Sequence, residues 1–108
     1  MRFDLVDLRL FIAVAEARSI TGGADHAHLA LASASARIKG LEDAFGVQLF
    51  KRGRRGVELT AAGASLLDHA RIIMANVETM QGELSGFASG LRANVQLLAN
   101  TVGLAEHL

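Results

Sequence analysis

The sequence predicts a mainly α fold in which three short helices and a two-stranded hairpin precede one long helix. The chain is rich in alanine and leucine and contains no proline, tryptophan or tyrosine, which favours helices over strands. Its apolar residues recur every three or four positions over long stretches, the spacing that places them on one helix face. A short hairpin pattern with glycines at its turn interrupts this spacing near the middle of the chain.

The first two helices are predicted from apolar spacing and from the residues that precede them. Helix 1 spans about residues 4–18 and starts at Asp4, a favourable N-cap that is followed three residues later by a second acid, Asp7. Helix 2 spans residues 20–27 after a capping Ser19. Two glycines weaken helix 2, so it depends on packing against its neighbours.

The third helix and the hairpin follow. Helix 3 spans about residues 31–44 and stops at Gly46, because glycine accepts the left-handed conformation that ends many helices. Two short apolar pieces, residues 47–50 and 57–59, flank a basic, glycine-containing stretch at 51–56. This pattern predicts two strands joined by a hairpin turn, which form a candidate wing.

A long helix capped by Thr60 follows the wing, and its apolar residues alternate spacings of three and four. This 3.5-residue period predicts a partner helix and therefore a homodimer, whereas a helix that only covers its own domain is the alternative. A helix of nearly 30 residues spans roughly 40 Å, more than so small a core covers. The predicted dimer interface consists of Ala70, Ile73, Val77, Met80, Leu84, Phe87 and Leu91.

The basic charge is local, although the net charge of the chain is zero, with 11 basic and 11 acidic residues. A local patch is sufficient for binding DNA. Between positions 37 and 55 only Glu42 and Asp43 oppose the basic residues Arg37, Lys39, Lys51, Arg52, Arg54 and Arg55.

Other functions receive no support from the sequence. His26 and His28 lie two residues apart, would point to different faces of a helix and have no further ligands nearby, so no metal site is predicted. Neither a catalytic motif nor a signal peptide is recognisable, and no apolar run approaches the roughly 18 residues of a membrane span. Without cysteines the chain suits a reducing compartment. We therefore expect a cytoplasmic, non-enzymatic protein without a membrane partner.

The order of these motifs resembles the DNA-binding domain of LysR-type transcriptional regulators. The resemblance covers residues 5–63 and, with the long helix, about the first 90 residues. Six pieces in the family's order and spacing make it specific. The matching residues are Leu8, Phe11, Val14, Ala15 and Glu16; Ser19-Ile20-Thr21; Ser35 and Ile38; Leu41-Glu42 with Phe45-Gly46-Val47; Leu49-Phe50-Lys51-Arg52; and Leu59-Thr60-Ala61-Ala62-Gly63.

The resemblance implies a winged helix-turn-helix domain at residues 1–60, with the helix-turn-helix at about 20–39, and a dimerising linker helix at 61–90. Residues 91–108, predicted as a strand at 94–100 and a helix at 102–108, would form a hinge and the start of a truncated effector-binding domain. No cofactor is expected within this chain, whereas a small-molecule effector would bind the missing C-terminal domain. Double-stranded DNA and a second copy of the chain are the expected partners, and assembly of the full-length protein into a tetramer stays open.

The start of helix 3 departs from the family pattern. Ala30-Leu31-Ala32 stands where the family commonly has Ser-Gln-Pro, and Ala36 stands at a position where arginine is frequent. The family's base contacts therefore do not transfer to these positions. Alanine has no side-chain acceptor for capping, and leucine makes no hydrogen bond to an adenine edge. We expect Leu31, Ala32 or Ala36 to contact a thymine methyl group instead.

The candidate DNA-binding residues combine this helix with the wing and the start of helix 2. Ser35 and Arg37 are predicted to read bases or bind nearby phosphates, assisted by Ser33, and Arg52 is the leading wing residue. The serines could instead only solvate a helix face, the wing could be a charged loop without a ligand, and Ser19 could be a plain cap. The full set is Ser19, Thr21, Leu31, Ala32, Ser33, Ser35, Arg37, Lys39, Lys51, Arg52, Arg54 and Arg55.

The resulting hypothesis is a sequence-specific transcriptional regulator that binds a roughly palindromic operator as a dimer. A winged-helix protein-interaction module that uses the apolar Leu31 and Ala32 surface, and does not bind DNA, is the alternative, because a fold does not determine a function.

Overall fold

The structure is a computed structural model that describes residues 2–89 of the chain. Within this range three helices, an antiparallel hairpin and a long helix follow one another, as the sequence predicts. The predicted strand and helix at residues 94–100 and 102–108 lie outside the described residues. The elements are α1 (Leu5–Ala17), α2 (Ile20–His26), α3 (Leu31–Phe45), β1 (Phe50–Gly53), β2 (Gly56–Leu59) and α4 (Ala61–Ala88).

The predicted helix caps are confirmed. Asp4 and Asp7 form a capping box at the start of α1, because the carboxylate of each accepts the backbone N–H of the other at 3.0 Å. The Ser19 hydroxyl accepts the N–H of Gly22 at 2.9 Å at the start of α2. Gly46 ends α3 in the left-handed conformation with a φ of 68°.

A single apolar core joins α1, α2 and α3 to the start of the wing. Complete burial of a leucine, valine or phenylalanine side chain stabilises a fold by about 1.5–3 kcal/mol, so this cluster is the main source of stability. The rings of Phe11 and Phe50 pack at a centroid distance of 5.0 Å and connect α1 directly to β1. The buried members of the core are Leu10, Phe11, Val14, Ala24, Ala34, Ile38, Leu41, Leu49 and Phe50.

Helix α2 lies unusually close to α1. A Cβ atom added at Gly23 would lie 2.6 Å from Val14 Cα and 2.7 Å from Val14 N, so only glycine permits this backbone approach. The glycine that weakens α2 as an isolated helix therefore allows it to pack on its neighbour.

The wing forms as predicted, but the bounds of its strands differ from the predicted ones. We predicted strands at residues 47–50 and 57–59 with a turn at 51–56. In the structure Phe50 pairs with Leu59 and Gly53 with Gly56, so β1 starts later and only residues 54–55 form the turn. Just before β1, the backbone N–H of Leu49 donates to the carboxylate of Glu42 rather than to a strand partner, and the same carboxylate accepts the N–H of Phe50, the first residue of β1.

Helix α4 begins after Thr60, whose hydroxyl oxygen accepts the N–H of Gly63 at 3.0 Å, as predicted. Residues up to Met74 belong to one compact unit, which therefore includes the first half of α4. A second unit begins at Ala75, and its described part is the second half of α4. Among the described residues, no helix combines the length and the apolar character that crossing a membrane requires.

Candidate nucleic-acid interface

A groove lies between the start of α2, one side of α3 and the wing. Its volume is about 660 Å³. Both α3 and the hairpin contribute to its walls, which include polar and apolar residues. The groove brings together half of the candidate DNA-binding residues, namely Ser19, Thr21, Leu31, Ser35, Lys51 and Arg52.

The wing supplies the positive charge of this surface. Lys51, Arg52, Arg54 and Arg55 are all exposed, and within residues 2–89 none of them forms an ion pair. Lys51 and Arg52 are in β1 and line the groove, whereas Arg54 and Arg55 form the hairpin turn. The cations are therefore available to an anion without first breaking an internal contact.

The backbone of the wing is attached to the turn between α1 and α2. The N–H of Val57 donates to the carbonyl oxygen of Arg18 at 3.1 Å. Gly56 lies against the same carbonyl oxygen with a φ of 113°, and a Cβ atom there would collide with it. This close approach requires glycine and fixes β2 beside the start of α2.

The start of α2 places two hydroxyl groups on the groove wall. The Ser19 hydroxyl caps the helix by accepting the Gly22 N–H, as noted above, which leaves its own O–H free to donate to a ligand. Thr21 is exposed on the groove wall, and within residues 2–89 its side chain has no hydrogen-bond partner to compete with a ligand. The geometry is compatible with both the capping role and a phosphate contact for Ser19.

The exposed face of α3 is largely apolar at its N-terminal end. Leu31 retains 50% of its surface exposed and lines the groove. Ala32 and Ala36 are exposed, as are Ser33 and Ser35. Ala30 makes no side-chain cap, as predicted. A groove lined in this way offers methyl groups and hydroxyls rather than long hydrogen-bonding side chains.

Two predicted basic residues of α3 have acidic partners. Arg37 Nη1 donates to Asp7 Oδ1 at 2.7 Å and to Asp4 Oδ1 at 3.3 Å. Lys39 Nζ lies 3.6 Å from Asp43 Oδ1 in an exposed pair one helical turn apart. Arg37 does not line the groove. Its two acidic partners lie 30 and 33 positions earlier in the chain, and no local pattern predicts them.

Electrostatics around Arg37 reflect this contact. The hydrogen bond to the Asp7 carboxylate raises the pKa of the Arg37 guanidinium above its usual value. The backbone N–H of Asp7 lowers the pKa of the Asp4 carboxyl, and the positive charge of Arg37 acts in the same direction. At neutral pH the Arg37 guanidinium and the Asp4 carboxylate are therefore both charged.

Glu42 is a structural residue of the interface to which the sequence analysis assigned no role. Its Oε2 atom accepts the N–H of Leu49 at 2.8 Å and that of Phe50 at 3.3 Å. The side chain thus connects the end of α3 to the base of the wing. Glu42 belongs to the Leu41-Glu42 motif that the chain shares with LysR-type regulators, and this motif was the one sign of its importance in the sequence. The motif does not reveal that Glu42 accepts the N–H groups of Leu49 and Phe50.

The predicted dimer interface is partly exposed on α4. Ile73, Met80, Leu84 and Phe87 retain 39%, 51%, 60% and 49% of their surface, and Val77 is half-buried. Ala70 is an exception, because it is completely buried within its own chain and offers no surface to a partner. The 3.5-residue repeat in the sequence does not distinguish Ala70 from the exposed positions. Leu91 lies outside the described residues.

Three helices followed by an antiparallel hairpin, with a basic groove between hairpin and third helix, define a winged helix-turn-helix protein. The sequence profile of the bacterial regulatory helix-turn-helix proteins of the lysR family matches residues 5–64. Because this match covers more than half of the chain, the chain belongs to the lysR family of bacterial regulatory helix-turn-helix proteins. The resemblance inferred from the sequence is confirmed.

Curated relatives agree with this assignment. The HTH-type transcriptional activator AllS of Klebsiella pneumoniae is 40% identical over 99 residues, which are 92% of this chain and 37% of AllS. The HTH-type transcriptional regulator TfdT of Cupriavidus pinatubonensis is 36% identical over 95 residues, which are 88% of this chain and 42% of TfdT. The chain therefore spans less than half of the length of these two regulators.

Solved structures confirm the fold class. The DNA-binding domain of BenM, crystallised with catB site 1 DNA, matches with a TM-score of 0.76 and 36% identity over 81% of this chain and 98% of the BenM chain. The LysR family transcriptional regulator CbnR matches with a TM-score of 0.68 and 36% identity over 77% of this chain and 28% of CbnR.

The contact between Glu42 and the wing generates a testable prediction. We expect Glu42→Ala to lower the free energy of unfolding by about 2 kcal/mol, because a hydrogen bond to a charged group contributes about 1.5–3 kcal/mol. Chemical denaturation measures the loss, and hydrogen exchange should show reduced protection of the Leu49 and Phe50 amides. Asp43→Ala removes the same charge one residue away from an exposed pair and should change stability by less than about 0.5 kcal/mol. Equal effects of the two substitutions would contradict the role of Glu42.

Proposed function

We propose that this chain is the DNA-binding part of a sequence-specific transcriptional regulator and binds duplex DNA as a dimer. One observation carries the proposal: the groove places the exposed side of α3 directly beside wing cations that lack internal partners. The major groove of B-DNA admits one α-helix, so α3 is the element that enters it. The wing then lies against the adjacent backbone or minor groove.

The relatives support this proposal at the level of the domain. BenM, whose DNA-binding domain has the same fold, was crystallised in complex with DNA, and AllS and TfdT are transcriptional regulators. None of the comparisons favours the alternative of a winged-helix module that does not bind DNA. We also propose that this protein is cytoplasmic and has no enzymatic activity.

The wing provides the part of the affinity that is independent of sequence. Each cation that neutralises a phosphate releases counterions, so the logarithm of the binding constant falls with the logarithm of the salt concentration. Arg52 combines exposure, freedom from ion pairs and a position on the groove wall. It is therefore the strongest candidate for a phosphate contact, with Lys51 beside it and Arg54 and Arg55 at the tip.

The phosphate role of Arg52 predicts a change in salt dependence. Arg52→Ala should weaken binding to all duplexes by about tenfold, the equivalent of one charge-assisted hydrogen bond, and should reduce the salt slope by about 0.9. Fluorescence anisotropy titrations at several salt concentrations measure both quantities. Arg9→Ala is the matched control, because Arg9 is exposed on α1 and does not line the groove. An unchanged slope for Arg52→Ala would show that the wing does not contact phosphates.

Base discrimination in this chain rests on apolar contacts. Leu31 is half exposed on the groove wall, and Ala32 and Ala36 extend the apolar surface along α3. The 5-methyl group of thymine is the apolar feature that the major groove presents. Ser33 and Ser35 can donate to or accept from any base edge, so they add affinity with little discrimination.

A methyl contact of Leu31 predicts sensitivity to uracil. In a duplex selected from a random library, replacing the contacted thymine by deoxyuridine should weaken binding by about fourfold, because one buried methyl group contributes about 0.8 kcal/mol. In Leu31→Ala the same replacement should have little effect. Arg52→Ala serves as the control variant and should retain the full penalty for uracil. If every thymine in the site can be replaced without loss, Leu31 does not read a methyl group.

The exposed apolar row on α4 supports dimerisation. Ile73, Val77, Met80, Leu84 and Phe87 share one side of the helix and leave large apolar side chains in solvent. Single exposed apolar residues are common, but a continuous row with a 3.5-residue period is typical of a helix that packs on a partner. Two copies related by a two-fold axis would read a roughly palindromic operator.

This interface predicts a change in oligomeric state. Val77→Asp combined with Met80→Asp should produce monomers in sedimentation velocity and remove cooperative DNA binding, because the aspartates introduce charges into the apolar row. Ala75→Asp combined with Thr79→Asp adds the same charge on the other side of the helix, given about 100° per residue, and should leave the dimer intact. A dimer that persists after Val77→Asp and Met80→Asp would place the interface elsewhere.

We also propose that the full-length protein binds a small-molecule effector. The chain spans only 37% of AllS and 42% of TfdT, so a longer protein of this family has room for a separate sensing domain. We propose that such a domain, C-terminal to α4, binds the effector. Tetramer formation would also depend on that domain.

A further inference from the structure

A salt-bridged cluster connects the first turn of α1 to the middle of α3. Arg37 Nη1 is 2.7 Å from Asp7 Oδ1 and 3.3 Å from Asp4 Oδ1. The two carboxylates are themselves joined, because each accepts the backbone N–H of the other residue in the capping box. A guanidinium on the recognition helix is therefore held by the same two groups that begin α1.

The side of α3 that carries Arg37 is not the side that lines the groove. Ser35 lines the groove and Arg37 does not, and two residues separate directions around a helix by about 200°. Arg37 instead lies next to the buried stripe formed by Ala34, Ile38 and Leu41, at the edge that contacts α1. To reach a base in front of the groove, its side chain would first have to leave both carboxylates.

Burial makes this departure costly. The Asp7 side chain is only 11% exposed, whereas that of Arg37 is 34% exposed. A carboxylate with so little access to water depends on its hydrogen-bond partners, and removal of the partner leaves a largely buried charge without compensation. The 2.7 Å separation lies at the short end of the range for charge-assisted hydrogen bonds, which are the stronger kind.

We propose that Arg37 is a positioning residue: through Asp7 and Asp4 it fixes the orientation of α3 on α1, and with it the ability of α3 to discriminate between DNA sequences. This inference rests on the proposed DNA binding and replaces the direct contact between Arg37 and DNA that the sequence suggested. It assigns to Asp7, an acidic residue outside the groove, a role in the recognition of a polyanion. General electrostatics predict the opposite, since removing an acid should favour DNA binding.

Two variants test the proposal on a duplex selected from a random library and on an unrelated duplex of equal length. Asp7→Asn and Arg37→Gln should each reduce the preference for the selected duplex by about tenfold. Binding of Arg37→Gln to the unrelated duplex should keep its salt slope. A slope reduced by about 0.9 would mean that Arg37 contacts a phosphate directly and would overturn the proposal. So would tighter binding of Asp7→Asn to the selected duplex.

A matched control separates positioning from charge. Glu16→Gln removes one negative charge from the same helix and breaks the exposed pair of Glu16 with Arg71 at 3.2 Å, which does not involve α3. It should leave the sequence preference unchanged. If Glu16→Gln reduces the preference as much as Asp7→Asn, the effect is one of overall charge and the proposal is wrong.

A double variant tests whether the two residues act as a unit. Asp7→Asn combined with Arg37→Gln should lose no more preference than either single variant, whereas losses that multiply would show independent roles and contradict the proposal. Arg37→Gln leaves the capping box intact, so it carries the test if Asp7→Asn does not fold, as judged by thermal unfolding. If the wild-type protein binds neither duplex, the proposed function fails. If the wild type binds with a preference that both single variants retain, only the positioning role fails.

Discussion

The interface depends on how the chain satisfies the buried backbone of Leu49 and Phe50. Both side chains belong to the core, with 1% and 7% of their surface exposed, so their polar backbone groups are removed from water and need partners. Glu42 accepts both N–H groups, and the N–H of Thr60 donates to the Leu49 carbonyl oxygen at 3.0 Å. Three elements therefore meet at two residues: the end of α3, the start of the wing and the beginning of α4.

This junction determines where the groove lies. Since Glu42 extends from α3, the wing starts at a fixed distance from the recognition helix. Gly63 packs so tightly on the Leu49 carbonyl oxygen that a Cβ atom would collide with it, which also fixes the first turn of α4. The wing cations then extend from this base, with Arg54 and Arg55 at the hairpin turn.

The features that the sequence predicted well are those set by neighbours in the chain. Helix ends at Asp4, Ser19, Gly46 and Thr60 depend on hydrogen bonds three residues away or on one backbone angle, and such rules are visible in the sequence. The predicted bounds of β1 were wrong because the apolar residues before it have different environments. Val47 keeps 43% of its surface exposed, and Leu49 enters the core from a loop. The pattern of apolar residues does not reveal that Glu42 on α3 accepts the backbone N–H groups of Leu49 and Phe50.

The site shows the same division between local and distant information. The exposed wing cations were predictable because they are consecutive, whereas the orientation of Arg37 depends on Asp7, which lies 30 positions away. Ala70 fitted the heptad pattern as well as Met80 did, yet it is buried within its own chain. A period identifies one side of a helix, and it does not tell whether the covering surface belongs to the same molecule.

The pairing of charges explains how a chain of zero net charge presents a basic surface. Arg37, Lys39 and Arg71 are each matched by acids within the described residues, whereas the cations of the wing are left without ion pairs. Salt screens exposed charges beyond about 8 Å at physiological ionic strength, so acids farther away than this weaken the field at the wing very little, whereas Glu58 lies opposite Lys51 in the hairpin itself. The ion pairs of Arg37 and Arg71 with acids on α1 therefore neutralise two cations outside the wing, while the wing keeps its own cations without ion pairs.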